Sequence, residues 1–124
     1  MNVVLVVDDD PTIRQMIESM LKIVGYDVLG AGSGSEALEM CSRETQQIDA
    51  VVADVVMPGM TGTEMVQRMR THGIEIPVLY ISGYTDVQVG GAPLLLKPFK
   101  LEALVKSLHE VLETGNRRAA KGAG

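Results

Sequence analysis

Val3-Val4-Leu5-Val6-Val7-Asp8-Asp9-Asp10-Pro11 stands at the start of the chain, and its reading decides the fold. The apolar run does not alternate with polar residues, so both faces of the strand it forms are covered, as in a parallel sheet. Three carboxylates follow directly. Asp10 and Pro11 then supply a helix N-cap and a first helical residue. Ile13, Met16, Ile17, Met20 and Leu21 recur at helical spacing, and Gly25 ends the segment. The unit is a strand, an acidic turn and a helix.

The same unit repeats along the chain. Asp27 to Ala31 reads as a second strand, and Ser33 with Glu36 reads as a capping box that starts a helix carrying Ala37, Leu38 and Cys41 on one face. Ala50 to Ala53 is a third strand ending at Asp54. Pro58, Gly59 and Gly62 punctuate a loop, and Thr61 with Glu64 caps a third helix through about Arg70. Val78 to Ile81 makes a fourth strand, stopped by Ser82-Gly83. Leu94-Leu95-Leu96 is a fifth, followed by Lys97-Pro98, and Leu101, Leu104, Val105, Leu108 and Leu112 mark a last amphipathic helix. Residues 1–114 read as one domain, and 115–124, with Arg117, Arg118 and Lys121, as a flexible basic tail. Met16, Met20, Met65 and Met69 fall at core spacing on their helices.

Bulk composition narrows the function classes. The chain has 124 residues, 46 % of them hydrophobic and 22 % charged, a balance that can bury a core and argues against disorder. Its formal charge of −5 repels nucleic acid and anionic membrane, so neither is expected as a direct partner. No apolar run has the roughly 20 residues of a membrane span. Met1 to Val7 lacks the pattern of a signal peptide. Cys41 is the only cysteine, which rules out an internal disulfide and suggests a reducing, cytoplasmic location. The glycine-rich run Gly30-Ala31-Gly32-Ser33-Gly34 lacks the spacing of a dinucleotide loop. His72 and His109 have no partner at metal-ligand spacing.

Strands alternating with helices give a parallel sheet with helices on both faces and all strand carboxyl ends along one edge, where ligands bind in such folds. The first strand ends in Asp8-Asp9-Asp10, the third in Asp54, the fourth in Ser82 and the fifth in Lys97. Any one of these alone is an ordinary turn or solvated residue, and Asp10 before Pro11 is a natural N-cap. Together they make chemical sense. Clustered carboxylates repel unless they share a cation, and an all-oxygen set with few protein ligands suits Mg²⁺. A carboxylate is also a competent nucleophile toward phosphorus, and an ammonium and a hydroxyl can hold phosphoryl oxygens.

At this point the sequence resembles a known family. Val6-Val7-Asp8-Asp9-Asp10-Pro11, Asp54-Val55-Val56-Met57-Pro58-Gly59-Met60-Thr61-Gly62, Ile81-Ser82-Gly83-Tyr84 and Lys97-Pro98-Phe99 are similar, in order, to motifs of the receiver domains of two-component response regulators. The likeness runs from about Met1 to Leu112. It implies a flavodoxin-like (CheY-like) doubly wound five-stranded parallel sheet of order 2-1-3-4-5. It further implies that Asp54 is the phosphoacceptor, supplied by a sensor histidine kinase or histidine phosphotransfer protein, and that Mg²⁺ is held by Asp8, Asp9, Asp54 and the Val56 backbone carbonyl. Ser82 would be the switch hydroxyl and Lys97 the phosphate-binding lysine, joined to Pro98 by a cis peptide. Such a protein catalyses only its own phosphoryl transfer and dephosphorylation, signals to a downstream protein through a population shift, and in some cases forms a homodimer on phosphorylation. Ile81-Ser82-Gly83-Tyr84-Thr85-Asp86 resembles the wording of hybrid-kinase receivers in particular.

Two departures stand out. Only residues 83–96 lie between Ser82 and Lys97, and they include Gly90, Gly91 and Pro93, so the usual fourth helix of about 11 residues is expected to be shortened or missing. Leu94 occupies a place where many receivers carry an aromatic ring that moves on activation. Two rival functions also fit parts of the pattern. Asp8-x-Asp10-x-Thr12 matches a haloacid-dehalogenase-like phosphatase, although Asp54 and the Pro58-Gly59 loop then have no purpose. A receiver-fold adaptor that is never phosphorylated would need none of the strand-end groups.

Overall fold

The computed structural model describes residues 2–43 and 47–123, and of residues 116–123 the backbone alone. Five strands, β1 (Val3–Val7), β2 (Asp27–Ala31), β3 (Ala50–Asp54), β4 (Val78–Ser82) and β5 (Leu94–Leu96), form one sheet of order β2-β1-β3-β4-β5. All pairings are parallel, with Leu5 beside Leu29 and Val51, and Ile81 beside Asp54 and Leu95. Four helices connect the strands: α1 (Pro11–Ile23), α2 (Gly34–Ser42), α3 (Gly62–Thr71) and α4 (Leu101–Ala123).

Strand geometry divides the core in two, because successive side chains point to opposite faces. Leu5, Val7, Val51, Ala53, Val78 and Tyr80 pack with Ala37 of α2 and with Met65 and Met69 of α3. Val4, Val6, Val52, Leu79 and Ile81 pack with Ile17 and Leu21 of α1 and Leu104 and Leu108 of α4. The three central strands are buried along nearly their whole length, which is why their sequences show no alternation.

The helix boundaries follow the capping chemistry. Asp10 accepts from the Thr12 and Ile13 amides at the start of α1. Gly25, at φ 100°, closes that helix as its N–H reaches the Lys22 carbonyl and the Tyr26 N–H reaches the Leu21 carbonyl. Thr61 and Glu64 form the full reciprocal box at α3. At α2 only half of the expected box is present: Ser33 accepts from the Glu36 amide at 3.1 Å, but Glu36 Oε2 accepts from the Gly32 N–H at 3.2 Å instead of from Ser33.

Three further details correct or sharpen the sequence reading. No helix lies between β4 and β5, so the shortened or missing element is missing, and Val87, Val89 and Ala92 pack on the sheet from a coil instead. Met16 is 43 % exposed, because Ile13, Ile17, Met20 and Leu21 already fill the inward stripe of α1 and Met16 falls beside it. Helix α4 runs through Ala123, past the 114/115 boundary at which a flexible tail was expected to begin. Gly115 does not end it; a Cβ there would lie 2.7 Å from the Pro77 ring, so the bare position lets the helix pass close to that proline. The side chains of Arg117, Arg118 and Lys121 lie outside the described residues. Among the described residues, no helix is long and apolar enough to cross a membrane.

Candidate phosphoacceptor and metal site

The strand register brings the sequence-predicted groups to one edge. Asp8 leaves the end of β1, Asp54 and Ser82 are the last residues of β3 and β4, and Lys97 follows β5. Asp8, Asp54 and Ser82 are buried, at 1 %, 7 % and 0 % exposure, an unusual position for carboxylates without partners. The partner is Lys97. Its Nζ donates to Asp8 Oδ2 at 3.1 Å and to Asp54 Oδ2 at 3.2 Å, bridging residues far apart in sequence. The remaining Asp8 oxygen accepts from the Asp10 N–H at 3.0 Å, and Asp54 Oδ1 accepts from the Val56 N–H at 3.3 Å. The Lys97–Pro98 peptide is cis, as the family resemblance implies.

Asp9 completes the cluster from the exposed side. One carboxylate oxygen each from Asp8, Asp9 and Asp54 lies within 4.8 Å of the others. Three carboxylates facing one ammonium leave two negative charges uncompensated, which matches one divalent cation. The donors are all oxygen, as Mg²⁺ prefers. The residues present therefore fit the metal that the sequence suggests.

Burial and charge act in opposite directions on the central pair. Burial pushes the Asp54 carboxyl above its ordinary range, the Lys97 charge pulls it back, and Asp8 pushes it up again, with a net rise. For Lys97, burial works against the ammonium, but Asp54 and Asp8 outweigh it and the net effect is also upward. The lysine is thus held firmly as a cation between two acids.

Ser82 stands beside this group without joining it. Its Oγ accepts from the Tyr84 N–H at 3.0 Å, and its carbonyl accepts the Lys97 N–H at 2.8 Å. Among the described residues no hydrogen bond links Ser82 Oγ to Asp54 or to the Lys97 ammonium. Val56 and Tyr84, each two residues past a strand-end site residue, are 47 % and 60 % exposed. Asp10, the second acid of the phosphatase-like pattern Asp8-x-Asp10-x-Thr12, uses its carboxylate as the N-cap of α1.

Two residues that sequence reasoning does not place at the site support it. Gly62 begins α3 with its N–H on the Val55 carbonyl at 2.9 Å, and a Cβ there would collide with the Asp54 carbonyl oxygen. Only glycine lets the loop close this tightly under Asp54. The signal was present as a glycine at the N-terminus of a helix, where other residues serve better. Arg14, on α1, donates from Nη1 to the Asp8 carbonyl at 2.8 Å.

Comparison with known proteins agrees with this geometry. Residues 4–109 match the response regulator receiver domain. The probable transcriptional regulatory protein TcrX of Mycobacterium tuberculosis is 34 % identical over 97 % of this chain and 54 % of its own length. This chain spans about half the length of TcrX and of the response regulator MprA of Mycobacterium leprae. Among solved structures, the chemotaxis protein CheY4 of Vibrio cholerae is 37 % identical with a TM-score of 0.81, covering 90 % of this chain and 98 % of that one. The response regulator TrrA of Thermotoga maritima, solved in complex with Mg(2+)-BeF, is 28 % identical with a TM-score of 0.78, covering 90 % and 99 %. With the strand order, the acidic edge and the bridging lysine already in place, these matches lead to one conclusion: the chain belongs to the family of response regulator receiver domains.

Proposed function

We propose that this chain, through a switch unit of residues 1–114, is a phosphoaspartate switch whose Asp54 accepts a phosphoryl group from a phosphohistidine on a sensor histidine kinase or a histidine phosphotransfer protein. The observation that carries the reading is the double contact of Lys97 with Asp54 and Asp8 beside Asp9. An Asp54 carboxylate oxygen attacks phosphorus as the N–P bond of the donor breaks, its electron pair staying on the imidazole. Lys97 is within reach of the new phosphoryl oxygens and can exchange its Asp54 contact for them. The Ser82 hydroxyl, which accepts from Tyr84, keeps its own proton for the same purpose. Asp8, Asp9, Asp54 and the Val56 carbonyl would hold Mg²⁺, which when bound neutralises charge on the transferred group.

Transfer from the phosphodonor changes the charge at the edge next to the 83–93 coil, and the coil is the element that responds by shifting its population of conformers. Its downstream reader is a protein in the cytoplasm, in keeping with a net charge of −5 that disfavours nucleic acid. Val56 and Tyr84 offer no carboxylate or amide to orient a water, so phospho-Asp54 is long-lived; Val56→Asn should speed its hydrolysis several-fold, read by loss of the phosphorylated mass with time.

The deciding experiment is incubation with acetyl phosphate and Mg²⁺ followed by intact mass. The wild type gains one phosphoryl group and Asp54→Asn gains none. Equal labelling of both proteins, or of neither, would sink the proposal; labelling of neither would favour a pure adaptor.

A further inference from the structure

Asp9 presents a difficulty for the metal site. It is the exposed member of the three carboxylates, and among the described residues its side chain has no hydrogen-bond partner. Asp8 is fixed by Lys97 and the Asp10 amide, and Asp54 by Lys97 and the Val56 amide. Only the backbone can keep Asp9 near the other two, and the plane that sets its direction is the Asp8–Asp9 peptide. Arg14 holds that peptide by its carbonyl, at 2.8 Å.

The arginine is itself placed with care. It is half-buried, and among the described residues it has no carboxylate within ion-pair distance. Its Nη1 lies against Gly32, where a Cβ would stand 3.4 Å away, while the Gly32 N–H is tied to Glu36. The guanidinium is lodged between the ends of β1 and β2, where even a Cβ at position 32 would touch it in ordinary contact. A planar donor on a long arm suits this task, because it can span two strands and still meet a carbonyl squarely.

We propose that Arg14 is a positioning residue for the cation site, acting through the Asp8 carbonyl to aim Asp9 at the position shared with Asp8 and Asp54. The inference rests on the metal-dependent reading above, and the charge of Arg14 makes it testable by sign. If Arg14 acted only as a nearby cation, removing it would tighten Mg²⁺ binding, since a repulsive charge would be gone. If it positions Asp9, removing it loosens binding.

The test is calorimetric titration of Mg²⁺ into the wild type, Arg14→Met, Arg14→Lys and Gly32→Val. Gly32→Val keeps the Arg14 charge but adds two γ-methyls beyond a Cβ that would already touch the guanidinium at 3.4 Å. The expected result is binding weakened roughly 10-fold in Arg14→Met, as for loss of an outer-shell partner. Gly32→Val should weaken it similarly, and Arg14→Lys should recover part of the loss. A second readout needs no metal: hydrogen exchange at the Asp9 and Asp10 amides should quicken in Arg14→Met while the core of the sheet is unchanged. Unchanged or tighter Mg²⁺ binding in a folded Arg14→Met overturns the inference. Should that variant melt without cooperativity, unchanged binding in Gly32→Val overturns it instead. A wild type that binds no Mg²⁺ overturns the underlying site, and Arg14 with it.

Discussion

On one side of the sheet, Val4, Val6, Val52, Leu79 and Ile81 lie fully buried under two helices, α1 and α4. On the other, Leu5, Val7, Val51 and Tyr80 meet α2, α3 and then a coil, because the connection from β4 to β5 forms no helix. Both sides exclude water from the strands. They do so at different cost in order. A helix satisfies its own backbone and brings side chains at fixed spacing, whereas the coil covers the sheet with Val87, Val89 and Ala92, each only partly buried. The sheet edge that carries Asp54 adjoins the coil through Ser82 and Tyr84. Under the proposed function, the weaker cover lies next to the chemistry, where local opening is useful.

Truncation should expose the difference most strongly. Leu108→Ala, on the two-helix side and fully buried, should cost about 3 kcal/mol, the usual loss for a buried leucine. Val89→Ala, in the coil, should cost under about 1 kcal/mol, since the loop can settle around the smaller side chain. Urea unfolding of both variants checks the pair; comparable losses would mean that the coil packs as rigidly as a helix. Hydrogen exchange should show the next largest contrast. Amides of 83–93 should exchange at least about 100-fold faster than those of 104–112 in α4, because few of them are in regular hydrogen bonds. Similar protection in the two segments would remove the coil as the mobile element.

The smallest effect lies at the edge between the two sides. Burial raises the Asp54 carboxyl above its ordinary 3.8, so the folded protein favours the protonated form. That contribution to stability is present below 3.8 and is lost as pH rises through the folded value. Asp54→Asn cannot ionise, and without metal it should gain on the wild type as pH climbs above 3.8 through the raised folded value. Urea midpoints in EDTA measure this. A wild type that gained on the variant would show that the Lys97 ion pair outweighs burial.

Much of this was legible in the sequence, for reasons that differ by element. The strands announced themselves because full burial leaves an unbroken apolar run, and α1 and α3 because their caps use side chains with one obvious purpose. The site was legible because strand ends converge in a parallel sheet, so Asp8, Asp9, Asp54, Ser82 and Lys97 could be placed together without coordinates. Even the missing helix showed, through Gly90, Gly91 and Pro93. What escaped depends on contacts that periodicity does not encode. Met16 sits at the margin of an apolar stripe, where a shift of one position decides exposure. Glu36 bonds to Gly32 and not to Ser33, a choice set by local backbone direction. Arg14 and Gly62 act on backbone carbonyls, which leave no mark in the pattern of side chains. Gly115 opens the stretch expected to be a flexible tail, and its bare position instead lets α4 pass close to Pro77.

Cys41 sits on α2 against the α2/α3 core, and burial pushes its thiol up to about 11 from 9.0. A rise of that size lowers the thiolate fraction near pH 8 by roughly 100-fold, and the thiolate is the form that alkylates. A cysteine introduced at exposed Gln88 would therefore take a maleimide dye long before the native one does. With no tryptophan in the chain to compete optically, one substitution turns the protein into its own fluorescent reporter of the coil.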